Sequence, residues 1–123
     1  GSMTTVHANG IRDAITRLET LVMMGDVGLP QNVIRSNIAS AIDVIIQQDR
    51  MQDGSRRITS VSEAGNVEDG DVKLREVFYF EQQDFRDGKI VGEHKSTGTR
   101  PSFHDDFSNQ GIDLSESIYE PTQ

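Results

Sequence analysis

His7 stands in the run Thr4-Thr-Val-His-Ala-Asn9, directly ahead of a stretch with helical spacing. An imidazole can give or take a proton near neutral pH. Backbone N–H groups at the start of a helix are free to receive an anion. Position alone therefore offers His7 and Asn9 anion-facing chemistry, while an ordinary strand-end histidine is the plainer reading. His94 and His104 lie far from His7 in the chain, and no His-x-x-x-His or carboxylate-rich loop accompanies them, so no metal site is expected. Asp69-Gly70 with Glu76 has the glycine and closing-glutamate spacing of a calcium loop. Gly65 and Val67 stand where the first side-chain ligands should be, and a hairpin turn explains the dipeptide instead. Glu68-Asp69 and Asp105-Asp106 are paired carboxylates in polar stretches and read as solvated charge. With no cysteine and no Gly-x-Ser-x-Gly, nucleophilic acyl transfer has no candidate.

Phosphate chemistry remains. No Gly-x-x-x-x-Gly-Lys-[Ser/Thr] occurs. Without that loop there is no nest of N–H groups, no lysine for the β- and γ-phosphates and no hydroxyl for Mg²⁺. The chain by itself is expected neither to bind ATP tightly nor to hydrolyse it.

The elements that would position His7 follow from periodicity. Ile11, Ala14, Ile15, Leu18, Leu21 and Val22 fall on one face of a helix over Ile11–Met24, with Asp13 in its first turn and Gly25 as its stop. Arg17 and Glu19 lie off that face and read as a solvated side. A second helix begins at Pro30 and carries Val33, Ile34, Ile38, Ala41 and Ile42. Near Ala41 the pattern turns β-branched. Strands are expected over 44–51, 56–64, 72–82 and 89–93, joined at Asp53-Gly54, Asp69-Gly70 and Asp87-Gly88. In the third strand Val72, Leu74, Phe78 and Phe80 share a face, interrupted by Glu76, and the helices should cover that row. The strand at Lys89 is polar and suits a sheet edge. Arg56 and Arg57 read as a hairpin end, or as a subunit contact. A short helix over 102–109 should dock Phe103 and Phe107 on the sheet. The stretch 111–123 is acidic, with Asp113, Glu116 and Glu120, and is expected to be a flexible tail. The fold class is α+β: two N-terminal helices, an antiparallel four-strand meander and a short C-terminal helix.

Composition narrows the functions. Gly1-Ser2-Met3 reads as an expression scar, and residues 4–110 have the length of one domain. Apolar residues make up 34% of the chain, which allows a modest core. The absence of cysteine excludes disulfides and thiolate metal sites and suits a cytosolic protein. A net charge of -8 argues against nucleic acid as a partner, because no basic stripe is present to neutralise phosphates. No apolar run approaches the ~20 residues that span a bilayer.

Several motifs recur in a familiar order. Thr4-Thr-Val-His-Ala-Asn9 with Arg12-Asp-Ala-Ile-Thr-Arg-Leu-Glu-Thr-Leu21 resembles the His box of secretion-traffic ATPases of the type II/IV superfamily, above all the CpaF/TadA-type ATPases of tight-adherence (Flp) pili. Leu29-Pro30, Ile38-Ala-Ser-Ala-Ile-Asp-Val-Ile-Ile-Gln-Gln48, Asp53-Gly-Ser-Arg-Arg-Ile-Thr59, Val77-Phe-Tyr-Phe-Glu-Gln82 and Thr97-Gly-Thr-Arg-Pro-Ser-Phe103 are similar to that family's C-terminal part, in order, so the likeness covers roughly Thr4 to Phe107. Gly10-Ile11 differs from the Ser-Pro usual there. The resemblance implies the C-terminal part of a RecA-like P-loop ATPase domain, with the phosphate loop and acidic boxes upstream. It also implies ATP and Mg²⁺ for the parent protein, a homohexamer, inner-membrane pilus or secretion platform proteins as partners, and a place on the cytoplasmic face of the inner membrane. In such ATPases the His-box histidine lies near the γ-phosphate. His7 would carry that role, Thr5 would contribute a hydroxyl and Asn9 would orient the loop. The alternative is a non-enzymatic interaction module that uses the strand meander as a docking surface.

Overall fold

The computed structural model describes residues 1–25 and 28–122. Its element order is α1 (Ile11–Met24), α2 (Gln31–Ala41), β1 (Val44–Arg50), β2 (Arg56–Glu68), β3 (Asp71–Arg86), β4 (Lys89–Ser96), α3 (His104–Asn109) and a 3-10 turn at Glu116–Tyr119. The four strands form one antiparallel sheet in the order β1-β2-β3-β4, so the class is α+β. β4 is a sheet edge, as its polar sequence requires.

The turns explain the meander. Asp69 and Gly70 have φ of 52° and 81°, and Asp87 and Gly88 have 52° and 74°. Consecutive left-handed residues make the two-residue turn whose twist matches paired strands, and Asp-Gly is the dipeptide that tolerates it. Because both turns are tight, β2, β3 and β4 run on into them and are longer than the apolar alternation alone indicates.

Contacts divide the chain into two compact units. The first comprises Gly1–Ile45 and Ala64–Leu74. Its core is Ile15, Ile34, Ile38, Ala64 and Val72, with Leu18, Ala39, Ile42, Ile45, Val67 and Leu74 packed around them. Each fully buried branched side chain is worth about 1.5–3 kcal/mol. The stripe on α1 is core only in its first half: Ala14 and Ile15 are buried and Leu18 packs on the cluster, whereas Leu21 and Val22, expected on the same face, are exposed. Glu19 corrects the expectation of a solvated side: it is buried. Arg35 Nε donates to it at 2.8 Å and Gln31 Nε2 at 3.3 Å, while Arg35 also donates to the Gly70 carbonyl at 2.7 Å. A carboxylate can be buried when it is paired and hydrogen-bonded in this way. Arg17 is exposed and pairs with Asp13 one turn earlier.

The second unit comprises Ile46–Glu63 and Arg75–Gln123. Here the expected Val72/Leu74/Phe78/Phe80 row gives way. Arg75 and Glu76 are both exposed, and the next buried residue is Val77, so the burial parity shifts in mid-strand. Val72 and Leu74 belong to the helix-covered core, whereas Phe78 stacks on Tyr119 with centroids 6.0 Å apart and Phe80 tilts against His94 at 5.2 Å. Phe103 and Phe107 meet edge to face at 5.8 Å, and the buried residue of their helix is His104. In the acidic tail, residues 111–118 are exposed and Tyr119 is buried. Its ring packs on Phe78 and His104, Ser96 Oγ donates to its carbonyl at 2.8 Å, and His104 Nδ1 and the phenol lie 3.0 Å apart. Ser96 also exchanges bonds with Thr122, and Arg100 pairs with Glu116 at 3.0 Å. Gln123 of that stretch lies outside the described residues.

Candidate functional site

Residues 4–9 reach α1 without regular secondary structure. Val6 and Ala8 are half-buried, while Thr5, His7 and Asn9 are exposed. Burial alternates with period two, as in an extended segment with one side against protein, so the three sequence-predicted residues share the open side. Gly10 enters the helix in fully extended backbone and supplies no side-chain cap. Asp13 takes over part of that work: its carboxylate accepts the Asn9 N–H at 2.9 Å and Arg17 Nε at 3.0 Å. Those two bonds hold its carboxyl below the ordinary carboxylate range. Arg12 donates to the Val72 carbonyl at 2.7 Å and ties the first turn of α1 to the beginning of β3.

Chemically, this arrangement presents an exposed imidazole, a hydroxyl and a carboxamide in a row beside the positive end of a helix dipole. The row can donate hydrogen bonds to an anion that another part of a protein holds. One donor at the helix start is already used by Asp13. The other histidines stand apart from it. His94 Nε2 is 2.8 Å from the Ile58 carbonyl, and His104 is buried beside Tyr119. Among the described residues, no group of three His, Cys, Asp or Glu side chains could hold a metal ion, and no helix is long and apolar enough to cross a membrane.

Two polar clusters escaped the sequence reasoning. Glu63 is buried; one carboxylate oxygen takes Arg75, and the other takes the backbone N–H of Ser102 at 2.8 Å and its hydroxyl. Desolvation pushes this carboxyl up, and the bonds from Ser102 and Arg75 outweigh it, so the net shift is downward. No signal in the sequence marks Glu63, because polar residues occupy both faces of β2. Arg57 is the second case. It is half-buried rather than a hairpin end, lies 5.1 Å over the Phe80 ring and donates to the Ile90 carbonyl at 3.2 Å. Arg56 is exposed. Compared with known proteins, the chain matches no protein-family model and no curated protein.

Proposed function

We propose that this chain is the C-terminal portion of a hexameric secretion-traffic ATPase of the CpaF/TadA type, powering pilus assembly or protein secretion at the cytoplasmic face of the inner membrane. The observation that carries the proposal is the ordered run of motifs that starts at Thr4-Thr-Val-His-Ala-Asn9 and ends at Thr97-Gly-Thr-Arg-Pro-Ser-Phe103. The exposed row of Thr5, His7 and Asn9 is compatible with it and supports it. In this reading a RecA-like core upstream supplies the phosphate loop and the Mg²⁺ ligands. His7 then donates a hydrogen bond to a γ-phosphate oxygen, whose charge changes on hydrolysis. Thr5 adds a hydroxyl contact and Asn9 orients the loop. Rigid α1 carries the difference between the two nucleotide states away from the cleft. Residues 1–123 alone hold no phosphate cradle and hydrolyse no ATP.

The test is a chain extended upstream through the phosphate loop. Nucleotide with Mg²⁺ should shift the His7 imidazole resonances, and His7→Ala should remove that signal without altering the fold. An upstream region with no phosphate-cradling loop ends the proposal. In that case the domain is a docking module built on its sheet, a reading favoured by the exposed face of β1.

A further inference from the structure

The solvent side of β1 and of the first residues of β2 differs from the rest of this acidic chain. Ile46 is 59% exposed and Ile58 45%. Gln48, Arg50 and Arg56 are exposed beside them. None of these five positions is acidic, in a chain of net charge -8. The Met51 N–H donates to the Ser55 carbonyl at 2.7 Å and closes the hairpin. Stepping outward from that bond sets Arg50 opposite Arg56 and Gln48 opposite Ile58. Thr59 Oγ1, 3.5 Å from the Gln47 carbonyl, agrees with this register.

Like charges directly opposite each other destabilise a strand pair. Arg50 and Arg56 have no ion-pair partner among the described residues. Their neighbours are engaged. Asp49 accepts from Gln47 and Thr59, and Arg57 donates to Ser55 and Ile90. Among the described residues, no carboxylate therefore offsets the repulsion between these two guanidinium groups.

β1 is also an end strand of the sheet. In an antiparallel ladder, alternate residues turn their N–H and C=O groups to opposite edges. Since Met51 bonds inward, Asp49 and Gln47 do too, and Ile46, Gln48 and Arg50 present theirs to solvent. An unpaired edge is a template for another strand.

We propose that the β1 edge receives an extended acidic segment of a partner protein. The segment adds as a strand, brings carboxylates within reach of Arg50 and Arg56, and packs branched apolar side chains toward Ile46 and Ile58. A second copy of β1 fits poorly, since it would add two more arginines to the same face. An anionic bilayer is repelled by the rest of an acidic chain. The proposal does not rest on the nucleotide reading and stands or falls separately.

The probe is a fluorescent peptide of alternating glutamate and valine, titrated with the 123-residue chain and followed by anisotropy. Saturable binding that weakens with added salt is expected. Arg56→Glu should weaken it about tenfold or more. Gln48→Pro removes an outward N–H without touching the ladder to β2, and should weaken it similarly. Hydrogen exchange on the unaltered chain gives an independent check: the Ile46 and Gln48 amides should slow when peptide is added. The proposal is overturned by any of four results: no binding of this peptide, equal binding of a lysine–valine peptide, affinity indifferent to Arg56→Glu, or binding confined to phosphatidylglycerol vesicles.

Discussion

The Asp53 carboxylate and the backbone N–H of Ile90 lie 2.9 Å apart, although 37 residues separate them. The same carboxylate accepts the N–H and the hydroxyl of Ser55. Arg57, two residues further on, takes the Ile90 carbonyl. The turn between β1 and β2 is thereby stapled to the start of β4 through both polar groups of one peptide residue, which leaves that backbone satisfied.

This staple titrates. Ile90 and Ser55 lower the Asp53 carboxyl from 3.8 to about 2. A group depressed in the folded state adds stability above its unfolded value and loses it as the pH falls through the folded value. The melting temperature of Asp53→Asn should therefore lie below that of the parent chain at neutral pH, and the gap should close between about pH 4 and pH 2. Thermal melts across that range check it. A gap independent of pH contradicts the assignment.

Glu63 holds Ser102, at the start of the segment that carries His104 and the tail. Glu63→Ala removes a charge-assisted acceptor from a buried site and should cost about 1.5–3 kcal/mol in urea unfolding. Ser102→Ala keeps the backbone bond and should cost about 1 kcal/mol.

Tyr119 is the anchor of the last residues. Tyr119→Ala should destabilise by about 3 kcal/mol, the range for truncating a buried aromatic residue. Tyr119→Phe loses only the contact to His104 and should cost about 1 kcal/mol. Equal effects of the two variants would mean that the ring does not hold the tail.

Gly92 lets two strands approach. A Cβ there would fall 2.3 Å from the Glu81 carbonyl oxygen and 2.6 Å from Phe80 Cζ. Because one of the obstacles is backbone, β4 must shift, and Gly92→Ala should cost about 1–3 kcal/mol. Chemical unfolding of this variant measures it.

What was legible in the sequence was local. Asp69-Gly70 and Asp87-Gly88 announce their turns because left-handed backbone is cheap for those residues and for few others. The stripe on α1 predicts the buried side at Ala14, Ile15 and Leu18, because helical spacing sets that face, but not that it stops short of Leu21 and Val22. Glu19 was not legible, since its burial depends on Arg35 16 residues away and on Gln31 12 away. Nor was the parity shift before Val77, which a period-two pattern cannot anticipate. At the candidate site, the helix start that follows His7 and Asn9 was readable; the alternating burial of residues 4–9 was not. Nor was the use of Asp13 as partner to the Asn9 N–H, because an acidic first turn signals a dipole effect before it signals a cap.

The central claim is that His7 faces a nucleotide whose phosphates are held by a part of the protein upstream of it. ATP turnover by the upstream-extended chain, unaltered and as His7→Ala, tests this most directly. His7→Ala should lower turnover about tenfold or more at an unchanged melting temperature, consistent with loss of a hydrogen bond to developing charge. Equal turnover by both proteins would contradict it.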